Sequence, residues 1–194
     1  MDLMKMKDHE KYLTNHVVYS RHYAEFYDKF KRIKAEQTLS IDEAITLAYK
    51  RLWSAEEQVS FNQYLTTARE QRKAVMFLMP HFADFDAYFR HHRLKLWIEV
   101  VKRGYAVVFI KDNIAGLADP WHLKENVYTF RKVLGMKKIG DRTLEDELHA
   151  YRRYINYLCE FKFDALPEDV EAFYKKAKAD AREHYAQQDN SKTQ

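Results

Sequence analysis

The sequence predicts a mostly α-helical protein of about seven helices, built round a small parallel βαβ unit over residues 73–111, with an all-α chain as the alternative. Three observations carry that expectation. Apolar residues recur at three-and-four spacing through most of the chain, which places them on single helix faces. The chain has 4 glycines and 3 prolines among its 194 residues. Average usage would give roughly 14 glycines, and the tight turns of sheets consume them. Only two short apolar runs, Val75–Met79 and Ala106–Ile110, read as strands.

Taken in order, residues 8–36 read as a helix with Tyr19, Tyr23, Phe26, Phe30 and Ile33 on one face. Ser40 with Glu43 and Ser54 with Glu57 match the S-x-x-E capping box, in which the hydroxyl accepts from a free helix N–H and the carboxylate returns a bond. Helices are therefore expected to start near Ile41 and Ala55. The βαβ unit then places a strand at Val75–Met79, a Pro80-His81 turn, an amphipathic helix, Gly104, and a parallel strand at Ala106–Ile110. Asp119-Pro120 signals a helix start, and Leu123, Val127, Phe130 and Leu134 form its stripe up to a Gly135 cap. Thr143 opens the next helix, with Leu144, Leu148, Tyr151, Ile155 and Leu158 in line and Cys159 beside them as a small core residue. Pro167 opens the last, with Val170, Phe173, Ala177, Ala181 and Tyr185 inward. Residues 1–187 read as one globular domain and 188–194 as a disordered polar tail.

The bulk numbers bound the function. A net charge of +4 is modest, and lysines and arginines alternate with acids, so solvated helix faces fit better than a nucleic-acid surface. A single cysteine and the lack of a secretory leader point to the cytoplasm, and no window is apolar enough to span a membrane. No HExxH, CxxC, phosphate loop or GxGxxG is present, so neither a metal nor another cofactor is expected.

Two motifs carry chemistry. His81 and Asp86 form an H-x4-D pair, in which a histidine can take a proton from an attacking hydroxyl while a carboxylate fixes its tautomer. Five residues on a regular helix separate two side chains by about 140°, so the pair converges only if His81 lies in the turn before the helix. Arg90-His91-His92-Arg93 is a cationic cluster able to contact an anion; adjacent histidines on a helix point about 100° apart and do not share one metal.

Asn62–Tyr88, NQYLTTAREQRKAVMFLMPHFADFDAY, resembles the core of the lauroyl-type lipid A acyltransferases, and lysophospholipid acyltransferases in general. That family has a short amphipathic helix, a basic turn, an apolar strand, then histidine-phenylalanine-x-x-x-acid, here His81, Phe82 and Asp86. Arg131 to Gly140, RKVLGMKKIG, is similar to the family's arginine-x-x-x-glycine segment. The resemblance, over residues 62–140, implies a His81 general base oriented by Asp86, with Arg131 placing a phosphate or carrier group. It implies an acyl donor or a lipid surface as partner. A looser likeness, through Pro80-His81 and KRGYAVVF at 102–109, is to the first βαβ unit of two-domain glycosyltransferases. Two functions are therefore expected: an acyltransferase-like domain, active or degenerate, or a small helical regulator or inhibitor that binds a protein without catalysis.

Overall fold

The computed structural model describes residues 6–19, 23–42, 44 and 55–191. Contacts divide the chain into two compact units, Met1–Asp86 with Leu166–Gln194, and Ala87–Ala165. The fold is mixed α/β and not mostly helical: two three-stranded sheets accompany seven helices among the described residues.

The first unit holds a parallel sheet of β1 (Val17–Val18), β2 (Thr38–Ile41) and β3 (Ala74–Phe77), in the order β1-β2-β3. Around it lie α1 (Met6–His16), α2 (Tyr23–Arg32), α3 (Ala55–Glu70) and α7 (Glu168–Ser191). Helices α2 and α3 make the two crossovers and pack together through Phe26–Phe61 and Tyr27–Tyr64, with ring centroids 5.0 and 4.3 Å apart. Phe61 also meets Phe77 of β3 at 6.2 Å, so this aromatic layer covers one face of the sheet. Helix α1 packs on α7. Val18, Phe26, Leu39, Ile41 and Phe61 are fully buried, as expected of parallel strands with both faces covered.

The turns into β2 and β3 explain the missing glycines. Glu36 and Arg72 take left-handed backbone conformations, φ 68° and 53°, which glycine adopts most cheaply. The Glu36 N–H donates to the Arg72 carbonyl at 2.7 Å, tying the two turns together. Lys73 Nζ donates to the Phe30 carbonyl at 2.9 Å and so caps the end of α2 with a cation.

The predicted helix over 8–36 is two helices with β1 between them, because Val17-Val18 is a β-branched pair that pairs with Ser40 and Ile41. Ser40 lies buried in β2 and starts no helix at Ile41; Glu43 is outside the described residues. Helix α3 does begin at Ala55, although Ser54 is also outside them. Helix α7 follows Pro167 as expected and continues to Ser191, through the start of the stretch whose composition reads as a tail.

The second unit holds an antiparallel sheet of β4 (Leu96–Lys102), β5 (Tyr105–Ile110) and β6 (Tyr157–Lys162), in the order β4-β5-β6. Helices α4 (Ala87–His92), α5 (Leu123–Leu134) and α6 (Leu144–Tyr151) complete it. Both predicted strands of the βαβ unit exist, but they are not parallel neighbours. Ala74–Phe77 pairs with β2, whereas Tyr105–Ile110 lies between β4 and β6 in the other sheet. The intervening segment is a 3-10 turn at Phe82–Asp84, the short α4, and then β4, whose exposure alternates with the period of a strand. Gly104, φ 88°, makes the β4–β5 hairpin turn, and its carbonyl accepts from Phe163 N at 3.0 Å.

Gly135 ends α5 with a positive φ of 57°, and Thr143 forms its capping box with Asp146, as the sequence suggests. The helical stripe read through Leu158 stops at Tyr151; residues 157–162 are strand, and Cys159 is exposed there and not in a core. No described helix is long and apolar enough to cross a membrane.

Candidate functional site at the carboxyl edge of the parallel sheet

Parallel strands end together. Tyr19 follows β1, Asp42 follows β2, and Leu78 to His81 follow β3 on the same edge. Backbone bonds extend the ladder beyond the strands: Asp42 N to Val18 O at 2.8 Å, Leu78 N to Ile41 O at 2.9 Å, and Ala44 N to Leu78 O at 2.8 Å.

Asp42 is the centre of this edge and is 8% exposed. Its Oδ2 accepts from the Tyr174 hydroxyl at 2.8 Å and lies 2.8 Å from Lys178 Nζ. Tyr174 and Lys178 are four apart on α7 and therefore share a helix face. A buried carboxylate needs such partners, since an unpaired one would carry a desolvation cost of several kcal/mol. The Tyr19 ring lies 5.9 Å from that of Tyr174, and its hydroxyl is buried with no hydrogen-bond partner among the described residues. Burial, then the neighbouring Tyr174, Asp42 and Glu25, pushes the Tyr19 phenol far up. Burial also raises Tyr174, with the hydrogen bond to Asp42 next. Both phenols are therefore hydrogen-bond donors at neutral pH. Lys29 Nζ sits 5.5 Å from the Tyr19 ring, pairs with Glu25 at 2.7 Å, and donates to Val17 O at 2.6 Å.

His81 stands at the rim of this edge. Its backbone is extended, φ −136°, it precedes the Phe82–Asp84 turn, and its side chain is exposed. Phe82 and Phe85 anchor the turn inward, with Phe85 5.0 Å from Phe77, which leaves the histidine outward. Asp86 is half-buried, and no hydrogen bond or ion pair joins it to His81 among the described residues. The turn lifts the pair out of helical register as the sequence requires, without bringing the two side chains into contact.

The cationic cluster belongs to the second unit, on and just after α4. Arg90, His91 and Arg93 are half-buried and His92 is exposed. The cluster's carbonyls cap the end of α4: Arg90 O accepts from Trp121 Nε1 at 2.7 Å and His91 O from Lys111 Nζ at 2.8 Å. His91 Nε2 lies 3.8 Å from Asp119 Oδ1. Arg131 is exposed on α5, and no hydrogen bond or ion pair joins it to the cluster.

Sequence reasoning missed the residues that are in contact. Asp42, Tyr174 and Lys178 carry only faint signals: an acid directly after a short apolar run, and a tyrosine and lysine at helical spacing. It also missed a second histidine–carboxylate pair, His122 Nε2 to Asp112 Oδ2 at 3.2 Å, which closes the loop after β5. Asp112 N bonds to Pro120 O at 2.9 Å across that loop, and His122 has a left-handed φ of 52°. The hydrogen bond from His122 holds the Asp112 carboxyl below its usual range. Among the described residues no three histidines, cysteines or carboxylates converge as a metal site. No protein-family model, no curated protein and no solved structure matches this chain.

Proposed function

We propose that the chain binds a small hydroxyl-bearing molecule at the carboxyl edge of its parallel sheet, with His81 as the proton acceptor for that hydroxyl. One observation carries this reading: three parallel strands deliver Tyr19, Asp42 and His81 to a single edge, where Tyr174 and Lys178 hold Asp42. In open parallel sheets, ligands bind outside the carboxyl ends of the strands, where side chains from successive loops converge. Asp42 can accept from a ligand hydroxyl.

The resemblance of residues 62–140 suggests which reaction the hydroxyl undergoes. In acyl transfer, His81 takes its proton as the oxygen attacks a thioester carbonyl; a C–O bond forms, the C–S bond breaks, and the proton passes to the leaving thiolate. His81 is the group that takes the proton in this reading. A cytoplasmic setting fits the single free cysteine.

Release of free thiol from a short-chain acyl thioester, with glycerol as acceptor, tests the reaction. His81→Ala is expected to slow it at least ~100-fold, the low end of general-base contributions. Wild-type release no faster than buffer rejects acyl transfer from thioesters. Ligand-observed NMR with glycerol and ribose tests binding separately; signals unaltered by Asp42→Asn reject this edge as the site. A second reading, a non-catalytic binding protein, is favoured by the bare face of the antiparallel sheet.

A further inference from the structure

The two faces of the antiparallel sheet differ sharply in chemistry. Residues paired directly across antiparallel strands share a face. On one face, Trp97 pairs with Phe109 and Glu99 with Val107, which in turn pairs with Glu160. This face is covered: Phe109 meets Tyr154 at 5.2 Å and Tyr151 of α6 at 5.9 Å. Its acids are engaged, Glu99 with Trp97 Nε1 at 3.0 Å and Glu160 with Arg152 at 2.7 Å.

The opposite face carries three rows: Leu96 with Ile110, Ile98 with Val108 and Cys159, and Val100 with Ala106 and Phe161. No ionisable residue other than the cysteine thiol lies in these rows. Leu96, Ile98, Val100, Ile110 and Phe161 are 51%, 44%, 59%, 43% and 42% exposed. In a chain whose charged residues make up 32% of the sequence, a contiguous charge-free sheet face is a docking surface and not an average piece of exterior.

We propose that this face docks against the same face of a second copy of the chain. Charge complementarity selects that occupant. A partner surface bearing acids or bases would have to bury them here without a counter-charge, which is costly. A second copy presents an equally charge-free face, and a two-fold axis makes one patch complementary to itself. Size sets the strength. Five residues at ~3.4 Å along three strands ~4.8 Å apart give a face of roughly 17 by 14 Å. Two such faces cover roughly 480 Å² in projection, below the ~1,200 Å² where stable interfaces begin. The dimer is therefore weak and concentration-dependent.

Sedimentation velocity of the full chain from about 1 μM to about 1 mM reads this directly, because association should grow across the range. Cys159 supplies a second readout within the face: its reaction rate with a thiol reagent is expected to fall several-fold over the same range. The double variant Ile98→Thr, Val100→Thr keeps β-branched residues in β4 and should weaken association at least ~10-fold. Substituting Tyr128→Thr on α5, itself 69% exposed, is the control that leaves association unchanged. A chain that stays monomeric at about 1 mM overturns the proposal, as does a double variant that associates like wild type. Far-UV circular dichroism of each variant separates lost docking from lost fold.

Discussion

The two sheets of this molecule have three strands each and put their polar residues in opposite places. The parallel sheet buries β1 and most of β2, leaves Met76 on its edge strand β3 exposed, and has its candidate site where the strands stop, at Tyr19, Asp42 and His81. The antiparallel sheet keeps one face free of charge and engages the acids of the other, Glu99 with Trp97 and Glu160 with Arg152. Strand direction explains the contrast. Parallel strands need helical crossovers, which cover the faces and send successive loops to one edge. In the antiparallel sheet a short turn joins β4 to β5, and the long connection from β5 to β6 brings α6 onto one face only.

The largest test of this contrast is a pair of truncations. Phe26→Ala removes a ring that is 0% exposed and packs on Phe30, Phe61 and Tyr64. It is expected to cost about 3–5 kcal/mol in urea denaturation. Ile98→Ala on the bare face is expected to change stability by no more than about 0.5 kcal/mol at micromolar protein. Equal losses would erase the distinction between a buried and a bare sheet.

Next comes the polar link between α5 and the start of β6. Buried Asn126 donates to Trp121 O at 3.1 Å and to Asn156 Oδ1 at 2.8 Å, and accepts from Ile155 N at 3.0 Å. Asn126→Ala leaves those groups unsatisfied and should cost about 2–3 kcal/mol, read by the denaturation midpoint. Tyr174→Phe removes the hydroxyl bond to Asp42 while Lys178 stays, so a smaller loss of about 1–2 kcal/mol is expected.

The smallest effect concerns the Thr143 cap. Thr143→Ala is expected to cost about 1 kcal/mol. The Lys137 ammonium and the Thr143 groups hold the Asp146 carboxyl at about 2. Its folded value lies below its unfolded one, so its stabilisation is complete above pH ~4 and fades as pH falls toward 2. Asp146→Asn should therefore flatten acid unfolding over that window, and a profile that keeps its full slope would assign the titration elsewhere.

Legibility in the sequence followed locality. The Gly135 stop, the helix start at Thr143 and the Pro167 start are set by residues within one turn, and each was readable. Strand β6 was not, because Leu144 through Leu158 keeps helical spacing while the chain turns after Tyr151 to pair with β5. Strand β4 was hidden by its place between two runs already assigned; its own alternation, with the Arg103-Gly104 turn after it, was the available signal. Glycine scarcity misled because Glu36, Arg72 and His122 occupy left-handed positions that glycine usually fills. At the candidate site, the place of His81 in a turn after a strand was legible. Asp42 and Tyr174 were not, because 132 residues separate partners that only tertiary structure brings together.

That separation has a consequence for biosynthesis. The first unit is discontinuous, and its last piece begins at Leu166 after all of Ala87–Ala165. A ribosome adds about 5–20 residues per second, so roughly 80 inserted residues delay α7 by about 4–16 s. During that interval Asp42 exists without Tyr174 or Lys178. The parallel-sheet edge can therefore be completed only after residues 87–165 have been made.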